Sequence, residues 1–145
     1  MLDIRTFSLF CFLLLASGSF SQKQVILSDK APKPIGPYSQ GIKTGNTMYV
    51  SEQVGIKADG TLDSTSIENE TTQVINNIKA VLEAAKMELK NVVKCTVYMT
   101  DLKNFKRMND IYATFFTSDP PARETVEVKS LPKGAHIEIS VIAAK

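Results

Sequence analysis

The residue types that most often carry catalysis are scarce in this 145-residue chain. His136 is the only histidine, so a Ser-His-Asp arrangement or a histidine-rich zinc site would rest on it alone. At the edge of a strand its expected role is that of a polar strand-end residue. Of the two cysteines, Cys11 lies in an N-terminal apolar run and Cys95 at a core-facing strand position, which predicts packing rather than nucleophilic attack. No G-x-S-x-G, G-x-x-x-x-G-K or G-x-G-x-x-G occurs, so the usual nucleophile elbow and phosphate cradles are missing. Lys103, Lys106 and Arg107 form a small basic patch without interleaved aromatics, a solvated face rather than an RNA platform. The net charge of +2 is too weak to imply nucleic acid or an anionic membrane. Asn69-Glu70-Thr71 is a glycosylation sequon, with meaning only in a eukaryotic source. What remains is a set of hydroxyls and isolated charges: a guanidinium, carboxylates and strand-borne Ser, Thr and Tyr.

The elements that must position them follow from periodicity. Val25-Ile26-Leu27 is a candidate edge strand, and Ala31-Pro32-Lys33-Pro34 cannot be helical. Thr44-Gly45-Asn46-Thr47 turns one extended segment, 39–43, into another, 47–54. Asp63, Ser64, Thr65 and Ser66 are candidate N-caps for a helix reaching Met87, with Ile67, Val74, Ile78, Val81, Leu82 and Ala85 on one face. Val92–Thr100 is a β-branched strand. Asp101 opens a second helix to Phe116, and Asp119-Pro120-Pro121 stops it. Strands at 123–129 and 136–143 close the chain.

The expected fold is α+β, with two helices on one face of a mixed sheet of about five to six strands. Strand parity places Val93, Cys95, Val97 and Met99 under the helices. It leaves Tyr49, Ser51 and Gln53, Thr96 and Tyr98, together with Arg123 and Glu138, for a polar second face of the kind found at a subunit interface lined by a site.

At the N-terminus, Arg5, the apolar run Phe7–Ala16 and the small residues Ser17–Ser21 have the pattern of a secretory signal peptide. The run is shorter than the ~20 residues of a spanning helix, which disfavours a retained membrane anchor. The expectation is therefore a signal peptide at 1–21, a domain at 22–145, and an exported (periplasmic or secreted) protein with no membrane attachment after cleavage. Only Cys95 would then remain, which excludes a disulfide-stapled fold.

Four segments stand out together: Ile35-Gly36-Pro37-Tyr38-Ser39-Gln40, Val50-Ser51-Glu52-Gln53-Val54-Gly55, Pro121-Ala122-Arg123-Glu124-Thr125-Val126-Glu127-Val128, and Leu131-Pro132-Lys133-Gly134 leading to Ile137-Glu138-Ile139. In order and spacing the chain, from about Ser28 to Ala144, resembles the RidA/YjgF family of imine/enamine deaminases. The resemblance implies a chorismate-mutase-like fold, a homotrimer with sites between subunits, and hydrolysis of 2-imino acids such as 2-iminopropanoate and 2-iminobutanoate to 2-keto acids and ammonia. It implies no cofactor or metal, and a small imino or keto acid as the partner.

Within that resemblance Arg123 and Glu138 are the catalytic candidates. Arg123 offers a planar, permanently charged fork that takes a carboxylate bidentately, and Glu138 can orient or deprotonate the attacking water. Tyr38, Ser51, Glu52, Asn109 and Thr125 are the substrate-binding candidates. Three departures are visible: Glu52 stands where the family has glycine, Thr125 where cysteine is common, and Pro120 where an aromatic is common. By parity Glu52 would point at the core, so a bulge or an outward twist is expected there. Two other functions share these residues: an exported small-carboxylate binding module without catalysis, and an RNA-directed translation inhibitor or endoribonuclease.

Overall fold

The computed structural model describes residues 22–145. Six strands form one sheet: β1 (Gln24–Ile26), β2 (Gly41–Thr44), β3 (Thr47–Val54), β4 (Val92–Met99), β5 (Ala122–Glu127) and β6 (Ile137–Ala144), in the order β1-β2-β3-β6-β4-β5. All neighbours are antiparallel except β4 and β5, which run parallel around the helix between them. The last strand therefore inserts between β3 and β4, bringing the chain's C-terminal motif beside its N-terminal ones. Gly45 makes the β2–β3 turn, in left-handed backbone (φ 56°) that a side chain would strain.

Helix α1 (Ile67–Ala84) begins where sequence places a cap: the Ser66 hydroxyl accepts from the Asn69 N–H at 3.1 Å. It ends in a Schellman turn, with the Met87 N–H bonded to the Leu82 carbonyl and the Lys86 N–H to Glu83, Lys86 taking the left-handed φ of 58°. A short 3₁₀ turn, Leu102–Asn104, precedes α2 (Phe105–Phe115), so the second helix starts three residues later than a cap at Asp101 predicts. The Asp101 carboxylate caps that 3₁₀ turn instead, accepting from the Lys103 N–H.

Both helices cover one sheet face. The core lies between them and the sheet: Met48, Val50, Cys95, Val97, Met99, Ile137, Ile139 and Val141 from strands meet Val74, Ile78, Val81, Leu82, Met108 and Tyr112 from helices, all buried. Their alternation along β6 is unbroken, Ile137, Ile139, Val141 and Ala143 inward and Glu138, Ser140 and Ile142 outward. Parity fails at two bulges. In β4 the register shifts between Val92 and Lys94, so Val92 is buried and Val93 exposed, correcting the inward placement of Val93. The second bulge, in β3, shapes the site.

Candidate functional site

The β3 bulge is visible in the register. Val50 pairs with Val141 and Gln53 with Ile139, so three steps on β3 span two on β6. The extra residue turns Ser51 and Glu52 toward the open side of the sheet and sends Gln53 inward, where it is buried. The Gln53 amide stays satisfied by donating to the Ser51 and Glu52 carbonyls at 3.1 and 3.2 Å, which ties the bulge together. Gln53 was expected on the polar face; the inserted residue turns it inward and leaves Val54 half-buried. Glu52 is exposed, as the expectation of a bulge requires.

A cleft of about 830 Å³ opens here, lined by Tyr38, Ser51, Glu52 and Glu138 with Lys33 and Lys133 among its walls. Its apolar wall comes from Pro32, Pro34, Ile35, Ile56 and Leu62. Gln40 holds that wall in place, a role not foreseen from sequence. Buried, its amide donates to the Ala31 and Pro32 carbonyls at 3.4 and 2.8 Å, while its Oε1 accepts from the Ser28 N–H at 2.6 Å. Ser51 Oγ donates to the Ser39 carbonyl at 2.7 Å, and Tyr38 Oη accepts from the Ile35 N–H at 3.2 Å.

Glu138 stands on β6 opposite Val54 and Tyr98, half-buried. Burial, and then the negative charge of Glu52, push its carboxyl above the ordinary carboxylate value. A carboxyl whose pKa is raised by folding favours the fold below the unfolded value, and that advantage is lost as pH rises through the folded value. Glu138→Gln is therefore expected to raise Tm at neutral pH, with the gain vanishing below about pH 4, where the Glu138 carboxyl is protonated in the folded and the unfolded chain alike. Thermal melts of the two proteins across that range check it.

Arg123 is elsewhere. On β5 it pairs with Cys95, a helix-side residue, and its guanidinium turns toward α2. Its Nη2 donates to Asn109 Oδ1 at 2.8 Å, and the group lies 4.5 Å from the ring centre of Tyr112 and 5.6 Å from that of Phe105. Thr125, two residues on, shares that side by its pairing with Val97. Glu138 projects from the opposite face, in the row of Tyr98 and Val126. The expectation that Arg123 and Glu138 share one polar face is thus corrected. The sequence candidates divide into two groups: Tyr38, Ser51, Glu52 and Glu138 at the cleft, and Asn109, Arg123 and Thr125 at the β5 edge. Parity is a property of each strand alone, whereas the register that joins β5 to β4 sets which way Arg123 faces.

Two further polar residues are buried beneath this arrangement. Cys95 packs in the core, and Tyr112 Oη donates to its sulfur at 3.2 Å. Burial pushes both its thiol and the Tyr112 phenol upward, so neither is a ready nucleophile. Glu70 of α1 is completely buried: its Oε1 accepts from the His136 and Ile137 N–H groups at 2.7 and 3.3 Å, and its Oε2 lies 3.0 Å from His136 Nδ1. His136 is then a strand-end residue as expected, pinned by a carboxylate two positions before Glu138. Glu70 falls on the α1 apolar stripe, three residues after Ile67 and four before Val74, the signal that could have revealed it.

The chain matches the family model described as Endoribonuclease L-PSP over residues 28–145. A RutC family protein of Saccharolobus solfataricus is 51% identical over 124 residues, which cover 85% of this chain and 98% of that one. A 2-iminobutanoate/2-iminopropanoate deaminase of Bos taurus is 40% identical over 124 residues, 85% of this chain and 90% of that one. Among solved structures, RidA from the Antarctic bacterium Psychrobacter sp. PAMC 21119 superposes with a TM-score of 0.82 at 41% identity, covering 84% of this chain and 99% of that one.

These relatives correct the expectation of a secreted protein with a signal peptide. In the Saccharolobus protein and a RutC family protein of Pyrococcus horikoshii, the matched 124 residues make up 98% of the relative's length. That leaves those relatives no room for a leader of ~15–30 residues. Residues 1–21, on which that expectation rests, lie outside the described residues. On the family match, the identities and the shared fold, the chain belongs to the endoribonuclease L-PSP family, the RidA/YjgF group that its sequence motifs resemble.

Proposed function

We propose that this protein is a hydrolytic deaminase of 2-imino acids and of the enamines that tautomerise to them, 2-iminopropanoate and 2-iminobutanoate among them. The products are 2-keto acids and ammonia. The observation that carries this reading is the pair of half-sites on opposite faces: a guanidinium clamped by Asn109 between aromatic rings, and a cleft holding Glu138, Ser51 and Tyr38. Neither half suffices alone. A homotrimer in which the β5 edge of one subunit closes over the cleft of the next would join them. Tyr49 and Val126, about half exposed on the open face, are the apolar surface such an assembly would cover.

In the joined site Arg123 binds the substrate carboxylate as a bidentate fork and fixes the imine carbon near Glu138. That carbon is already electrophilic, so the protein's work is to aim a water at it and move protons. Water adds to give a carbinolamine, which collapses to the keto acid as ammonia leaves.

The test generates 2-iminopropanoate and 2-iminobutanoate in situ with an amino-acid oxidase, with semicarbazide as competing trap. Added protein is expected to speed keto-acid release, and sedimentation to give about three times the monomer mass. A monomer at micromolar concentration would remove the shared site. A trimer that leaves the rate unchanged would favour the carboxylate-binding module, since Glu52 occupies the cleft.

A further inference from the structure

We propose that Glu52 is a second catalytic carboxylate, which shares a proton with Glu138 so that one member of the pair acts as acid while the other acts as base. The proposal rests on the deaminase reading and deepens it.

The β3 bulge is the first observation. Without the extra residue, position 52 would alternate onto the helix side and bury an unpaired charge; with it, Ser51 and Glu52 both leave the core and Gln53 takes the inward place. Three backbone steps are thus rearranged, and the displaced carbonyls recapped by Gln53, with the result that a carboxylate stands at the cleft. The second observation is register. Glu52 lies two residues from Val54, whose Cα is paired with Glu138 on the adjacent strand. Diagonal neighbours of this kind have Cβ atoms about 7–8 Å apart, within reach of two glutamate side chains.

Both carboxylates line the one cleft, and the charge of Glu52 is felt at Glu138. Among the described residues no side chain pairs with the Glu52 carboxylate. The other charged groups lining the cleft are Lys33, Asp59 and Lys133. Asp59 is committed to the N–H and hydroxyl of Thr61 at 2.9 and 2.7 Å. Half-burial, and then the neighbouring charge of Glu52, raise the proton affinity of Glu138, so the shared proton is assigned to Glu138 at the start of the cycle.

Such a pair closes the proton balance of the reaction. Protonated Glu138 gives its proton to the imine nitrogen as a water oxygen bonds to the imine carbon, and Glu52 takes the proton that water loses. The carbinolamine now faces an ionised Glu138 and a protonated Glu52. Glu52 protonates the amino nitrogen, the C–N bond breaks, and Glu138 removes the hydroxyl proton as C=O forms. Ammonia and keto acid leave, and the pair has returned to its starting protonation with no external acid or base.

Glu52→Gln tests this, its side chain being exposed and its backbone unchanged. The substitution is expected to lower kcat by about 10²-fold with KM unchanged or reduced, and Glu52→Asp to restore part of the loss. Apart from turnover, carboxyl ¹³C resonances of the intact protein should show Glu138 titrating at lower pH in the variant than in the wild type. An unchanged or raised kcat in Glu52→Gln or Glu52→Gly would overturn the proposal, and so would an unmoved Glu138 titration. A wild type that fails to deaminate sinks the deaminase reading and the catalytic role together, while the titration still reads whether the two carboxylates are coupled.

Discussion

Arg123→Ala is expected to lower kcat/KM for 2-imino acids by about 10³-fold, measured by keto-acid release against a semicarbazide trap. The loss of a desolvated charge pair costs roughly 2–5 kcal/mol, and each 1.4 kcal/mol is a factor of ten. The Arg123 fork is held in advance: one N–H is taken by Asn109, and its plane lies against Tyr112 and beside Phe105. Little side-chain entropy is then left to lose on binding a carboxylate. Arg123→Lys should recover only part of the activity, because an ammonium matches neither the bidentate geometry nor the aromatic stacking. Glu138 keeps its setting in both variants, since it stands on another face and two strands away. A loss expressed in KM, with the fold retained, would assign the anchor. Activity within threefold of wild type would refute it.

The second large effect is on stability. Glu70→Ala is expected to destabilise the protein by about 3 kcal/mol, because the part-buried N–H of His136 and the buried N–H of Ile137 lose their acceptor at ~1–3 kcal/mol each. Part of that cost is regained by water entering from the His136 side, which is open to solvent. Glu70→Gln keeps an oxygen for both N–H groups and should cost far less. The packing is close on the other side too: a Cβ added at Gly55 would stand 2.5 Å from the Glu70 Cγ. Urea unfolding of the three proteins distinguishes the readings. Equal losses in the alanine and glutamine variants would mean that the charge at Glu70, rather than its acceptor geometry, secures the start of β6.

Much of the architecture was legible because burial is periodic. The α1 stripe from Ile67 to Ala85, the β6 alternation and the β2–β3 turn were all readable one segment at a time. Ser66 could be named among four candidates, though only the folded chain shows which hydroxyl reaches the Asn69 N–H. What sequence could not carry was anything that depends on pairing between distant segments. Gln53 and Val93 were misplaced because a bulge is a property of two strands, not of one. Arg123 was put beside Glu138 because both are polar positions on strands, and only the Cys95–Arg123 register reveals that they face opposite ways. Glu70 was read as the middle of a sequon, since nothing local announces that two amides some 66 residues away will need an acceptor.

That opposition of Arg123 and Glu138 has a consequence at the level of the cell and the gene. If one chain contributes the anchor and another the carboxylate, a polypeptide damaged at either position still folds, still assembles, and spoils a site belonging partly to its neighbour. Chains lacking only the guanidinium and chains lacking only the carboxylate would, when mixed, rebuild intact sites at about one in four of the junctions between subunits. Mixed with wild-type chains, either defect would leave about half of the junctions intact, no fewer than the halved dose of normal chains provides, so neither would be dominant, and the two defects would partly complement each other.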